Sequence, residues 1–131
     1  MSRREIREQI FQILFAAQFY ENEEREEQVR ICMEEMVSAG EAEASYINAK
    51  VCDILRLQEE IDSLIDAKAQ RWKTARMARA ELCILRLAVY EMRYEENIPV
   101  SVAINEAVEL AKRYGAENGA GFVNGVLSRL V

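Results

Sequence analysis

The stretch "MARAELCILRLAVYEMRYEE", Met77 to Glu96, decides the fold class. Ala78, Leu82, Leu85, Val89 and Met92 recur at the spacing of one helix face, and Ile84, Leu87 and Ala88 widen that face. A helix apolar on so many sides needs cover from several neighbours, which predicts a central helix in an all-α bundle. Its polar remainder is a narrow seam in which Arg79, Arg86 and Arg93 stand seven residues apart. An arginine inside so apolar a helix needs a partner: Glu81, Glu91, a backbone carbonyl or another protein.

The flanks continue the helical period. Downstream, "NIPVSVAINEAVELAKRYG" (Asn97 to Gly115) has Pro99 suited to a first turn, Gly115 just past the end, and a favourable Glu109–Arg113 spacing. "AENGAG" reads as a loop before a last helix with Phe122, Val123, Val126, Leu127 and Leu130 facing inward. Gly125 in that helix suggests a close approach of two helices. Upstream, "KAQRWKTARMAR" (Lys68 to Arg79) carries five basic residues and no acid. It reads as a solvated connector, with Trp72 anchoring it to the core. Before it, Ile61, Leu64 and Ile65 form one stripe, and a bend near Leu57 separates them from Ile47, Val51, Ile54 and Leu55. Val29, Met33, Met36 and Val37 form another stripe, stopped by Gly40, and Ile6, Ile10, Ile13, Leu14 and Ala17 form the first, ending near Tyr20. The expected sum is about seven helices, with no strand signal, heptad run or solenoid repeat.

Composition narrows the function. The chain has 131 residues, 50% apolar and 31% charged, with a net charge of −6. No apolar run approaches the ~18 residues that cross a bilayer. The start is basic and then amphipathic, unlike a signal peptide, so a cytoplasmic protein without a membrane is expected. There is no histidine, and no phosphate loop, nucleophile elbow or Cys-pair motif occurs, so neither catalysis, cofactor nor metal is expected. Cys32, Cys52 and Cys83 are read as buried, reduced thiols. An acidic balance argues at first against nucleic acid, but the sign is segregated: "ENEEREEQVRICMEE" (Glu21 to Glu35) is heavily acidic, whereas Lys68 to Arg79 is basic.

The opening "SRREIREQ" poses a puzzle. Ser2 with Glu5 is a capping box, so a helix should start near Arg3. Arg3, Arg4 and Arg7 then crowd the positive end of a helix dipole, which favours anions. Either the arginines belong to a solvated chain start, or an external phosphate supplies the anion.

Three segments now point to a family. "ILRLAVYEM" (Ile84 to Met92), "IPVSVAINEAVELAKRYG" (Ile98 to Gly115) and "GFVNGVLSRL" (Gly121 to Leu130), with the arginine-rich "SRREIREQIFQILF" (Ser2 to Phe15), closely resemble the NusB family of bacterial transcription antitermination factors. The resemblance is strong from Trp72 onward and weaker in the acidic second and third helices. It implies one NusB-like domain over residues 1–131, with a three-helix subdomain at about residues 1–57 and a four-helix subdomain at about 58–131. It also implies binding to boxA-type leader RNA of ribosomal RNA operons jointly with NusE, a small-subunit ribosomal protein. The pair would join NusA and NusG on the RNA polymerase elongation complex, which then resists termination.

Carried over residue by residue, the resemblance makes Arg3, Arg4 and Arg7 phosphate contacts. It assigns Asn118 and Phe122 to a second RNA contact, Asn118 at a base edge and Phe122 stacked on a base or else buried in the core. Phe15, Glu81 and Arg86 match positions on the NusE side. Glu5 and Gly121 stand where the family often carries a basic residue, which bears on RNA affinity. An alternative is an adaptor that holds NusE with little RNA affinity of its own. A third reading, a fragment related to the domain at the front of certain ribosomal RNA methyltransferases, is opposed by the length and by the lack of a cofactor motif. Monomer and homodimer both remain open.

Overall fold

The computed structural model describes residues 1–36 and 39–131, and among them lie seven α-helices and one 3₁₀ turn, with no strand. The predicted place of Val37 falls outside the described residues. Two compact units are formed, residues 1–56 and 57–131.

The first unit holds α1 (Arg3–Ala17), α2 (Asn22–Glu35) and α3 (Glu41–Arg56), and α1 packs against both of the others. The capping box forms: Ser2 Oγ accepts from Glu5 N–H at 3.1 Å, and Glu5 Oε1 accepts from Ser2 N–H at 2.9 Å. From α1, Ile10, Phe11, Ile13, Leu14 and Ala17 enter the core to meet Ile47, Val51 and Ile54 of α3. Only Val29 of α2 is buried, and its many carboxylates face water. Gly40 does not stop α2, which ends at Glu35. Instead its carbonyl accepts from Ala44 N–H at 2.9 Å and so opens α3.

The second unit is built on α5 (Arg79–Tyr94), and ten of its sixteen residues are buried. Packed on it are α4 (Gln58–Lys68), α6 (Val100–Tyr114) and α7 (Gly119–Ser128). The expected central helix is thus present, covered on three sides. Its arginine seam ties neighbours together. Arg86, only 11% exposed, makes a bidentate pair with Asp62 of α4, Nε and Nη2 each donating at 2.8 Å. Arg93 donates to the Leu130 carbonyl at 2.9 Å and so holds the end of α7. The partner of Arg86 lies 24 residues away, not among the candidates on its own helix.

Residues 69–78 are not merely a solvated connector. Asp66, near the end of α4, accepts from Thr74 N–H at 2.7 Å and from Thr74 Oγ at 3.0 Å. Lys73 donates to the carbonyls of Asp66 and Ala69 and so caps the last turn of α4. A 3₁₀ turn, Thr74–Arg76, follows. The buried side chains are Ala69, Thr74 and Met77, whereas Trp72 is 46% exposed; the clip and those small contacts anchor the segment, not the indole.

Other differences are local. α7 begins at Gly119, inside the expected loop, because Phe122 N–H already bonds to the Asn118 carbonyl. A Cβ at Gly125 would meet nothing within 4 Å, so no helix approaches there. Cys83 is buried, and burial pushes its thiol up to about 12, which makes it inert, while Cys32 is half-buried and Cys52 exposed, neither buried as expected. Among the described residues no helix is long and apolar enough to cross a membrane.

Candidate functional site

Two surfaces collect the residues singled out in the sequence, one on each unit. On the first unit, Arg3 and Arg4 are exposed on the opening turn of α1, and Arg7 is half-buried one turn on. Glu5 is already committed to the cap, and the Ser2 N–H holds its carboxyl below the usual range. The chain's own ammonium at Met1 is bonded to Glu43 at 2.9 Å, which raises its pKa and lowers that of Glu43. The first two turns of α1 therefore carry three guanidiniums near a capped helix end.

On the second unit, Asn118 and Phe122 share a pocket of about 230 Å³ with Trp72, Arg76, Met77 and Glu81. Asn118 is exposed and its side chain makes no capping bond, although it sits at the start of α7. Phe122 is half-buried, unlike the fully enclosed Val123 and Leu127 beside it, so part of its ring faces the pocket. The Arg76 guanidinium lies over the Trp72 indole, 5.3 Å from the ring centroid. Trp72 and Arg76 are not among the site residues expected from the sequence; the one signal there is a tryptophan set among five basic residues in Lys68 to Arg79.

Glu81 is 4% exposed, and its Oε1 accepts from Ala116 N–H at 2.8 Å. It thereby fixes the turn between α6 and α7 that carries Asn118. The same oxygen sets the glycines of that turn, since a Cβ at Gly115 or Gly119 would come within 2.7 Å of it. At Gly115 the Ala111 carbonyl also stands 2.7 Å away, and backbone cannot yield. Gly115→Ala should therefore cost about 1–3 kcal/mol through overpacking, read as a lower urea midpoint. Gly121→Ala, with open space around it in a helix, should instead be neutral or stabilising by up to ~1 kcal/mol.

Of the residues read as partner contacts, Phe15 is half-buried in an aromatic ladder on α1, 6.0 Å from Phe11 and 5.4 Å from Phe19 by ring centroids. Phe19 at its end is 54% exposed. Arg86 is engaged inside the second unit, so it shapes a surface rather than presents one, whereas Glu81 has one oxygen so engaged and also lines the pocket.

Known proteins match this chain over nearly its whole length. A sequence model described as the NusB family matches residues 4–131. The chain is similar to the transcription antitermination protein NusB of Agathobacter rectalis, 46% identical over 129 residues and 98% of each chain. It is 42% identical over 131 residues to that of Lachnoclostridium phytofermentans, covering 100% of this chain and 99% of the relative. Among solved structures it resembles T. maritima NusB, with a TM-score of 0.89 at 33% identity, over 99% of this chain and 90% of that one. It also resembles a chain from a complex of the antitermination factors NusB and NusE with double-stranded RNA, with a TM-score of 0.83 at 29% identity, over 98% and 94% of the two chains.

Proposed function

The chain belongs to the NusB family, and on that premise we propose that it is an RNA-binding transcription antitermination factor. It binds boxA-type leader RNA of ribosomal RNA operons together with NusE, and with NusA and NusG it helps RNA polymerase resist termination. The observation that carries this reading is the match over nearly the whole chain to relatives named for antitermination. The neighbour solved with NusE and RNA supports the choice of partners. Arg3, Arg4 and Arg7 supply phosphate contacts, which position the strand, and Asn118 and Phe122 supply a base edge and a ring face. Phe15 and its exposed neighbour Phe19 present an apolar surface suited to NusE.

The test is fluorescence anisotropy of a labelled boxA-type RNA, with this protein alone and then with its NusE. The expected result is weak binding alone, at least tenfold tighter binding with NusE, and poor binding of a scrambled RNA. The adaptor reading takes over if the NusE complex forms while RNA affinity ignores both NusE and sequence. Glu5 and Gly121, acid and neutral where the family often has a base, give that second reading its specific ground.

A further inference from the structure

The pocket on the second unit is built for a smaller and more particular ligand than a strand of phosphates. Its volume of about 230 Å³ lies below the ~300–1,000 Å³ that takes a drug-sized ligand. It suits one planar group. Two aromatic side chains line it, Trp72 and Phe122, and Arg76 already stacks on the indole, as guanidiniums stack in single-strand binding surfaces. The segment that supplies Trp72 and Arg76 carries five basic residues and no acid, so its charge favours an anionic strand. That segment is fixed by the Asp66–Thr74 clip, so the platform is preformed. At the wall stands Glu81, 4% exposed, with Oε1 bonded to Ala116 N–H. Its other oxygen, Oε2, is left as a hydrogen-bond acceptor for what enters.

We infer that this pocket takes one unpaired RNA base, stacked on the Trp72–Arg76 platform and on Phe122, whose exocyclic amino group donates to Glu81 Oε2. Adenine, cytosine and guanine carry such a donor; uracil has a carbonyl oxygen in its place, and its one edge donor, N3–H, lies between two carbonyl oxygens that a carboxylate repels, so uracil is disfavoured. Arg76, and the exposed Arg71 next to Trp72 in the chain, supply charge for the adjoining phosphates. Glu81 thus acts as a specificity-determining residue. The inference rests on the reading of the chain as an RNA binder, and it adds a base-selective position to it.

Trp72 is the single tryptophan of the chain, so its emission reports on this pocket alone. The probes are short oligoadenylate, oligocytidylate and oligouridylate, together with the boxA-type RNA. Emission should be quenched by the adenylate and cytidylate strands at lower concentration than by the uridylate strand. Trp72→Leu should weaken boxA binding about tenfold, the value of one stacked base. Because Trp72 is half-exposed, that variant should keep the parent's unfolding midpoint. Glu81→Gln keeps an acceptor for Ala116 N–H and turns its NH₂ toward the pocket, so preference should shift toward uridylate.

Suppose anisotropy shows boxA-type RNA bound, while Trp72 emission stays unmoved and Trp72→Leu binds like the parent. The base pocket is then refuted and the RNA-binding function survives. Quenching by NusE without any RNA would also overturn it, because the occupant would then be a protein side chain. If no single-stranded RNA binds by anisotropy, with or without NusE, both readings fall.

Discussion

Asp62→Ala should lower the unfolding free energy by about 2–4 kcal/mol, a large part of the ~5–15 kcal/mol that holds a domain of this size. Arg86 lies in the most buried helix of the protein with its side chain 11% exposed, and its two donors both end on Asp62. Removing the carboxylate leaves a guanidinium in a site with little water. That strands a charge rather than merely deleting a contact, which is why the cost exceeds that of a surface pair. The figure sits below that for a fully enclosed pair because Asp62 is 22% exposed and water can reach the gap. Asp62→Asn, which keeps an acceptor without the charge, should fall between the parent and the alanine variant. Urea unfolding followed by circular dichroism measures all three. Replacing both partners together, as Asp62→Leu with Arg86→Met, should recover most of the loss, since an apolar pair of similar volume does not have to be desolvated. A single variant within ~0.5 kcal/mol of the parent would mean that the pair is effectively solvated.

This pair also marks where sequence reading reaches its limit. The apolar stripe of α5 was legible because a 3.6-residue period is local, and the capping box at Ser2 and Glu5 was legible for the same reason. Asp62 was not legible as the partner of Arg86, because 24 residues and a change of direction lie between them. Trp72 was ambiguous in kind. An indole is large enough to anchor a loop and amphipathic enough to stay half-exposed, and only the Asp66–Thr74 clip, which does the anchoring, decides between the two. The glycines misled in opposite ways. Gly40 fits equally after one helix and before the next. Gly119 looked like loop, yet it opens α7, and it is glycine because Glu81 stands where its side chain would be. The α1 arginines and the pair Asn118 and Phe122 come from resemblance to a family, and their roles are proposals. The Trp72–Arg76 platform had its signal in composition, but that signal does not show that the segment folds onto the start of α7.

Replacing Arg3, Arg4 and Arg7 together by alanine should cost RNA binding far more than it costs stability. The cap itself is untouched, since Ser2 and Glu5 make it. Taking Arg3 and Arg4 away from the positive end of a helix dipole relieves repulsion worth a few tenths of a kcal/mol each, and alanine is the better helix former, which offsets the contacts that the arginines give up, so stability should stay within ~0.5 kcal/mol of the parent. Affinity for boxA-type RNA, by contrast, should fall by about a hundredfold at low salt, because each guanidinium makes a charge-assisted contact to phosphate. The slope of log affinity against log salt should become shallower by about 2, as three phosphate contacts at ~0.7 each are lost from a single strand. Parent and variant should therefore converge as salt rises. The two measurements together exclude the trivial explanation: a variant that bound RNA poorly because it was misfolded would lose stability too. Unchanged affinity and slope would make the arginines a solvated chain start. Stability kept while binding and slope are lost is what residues placed against the local field for an external phosphate must produce.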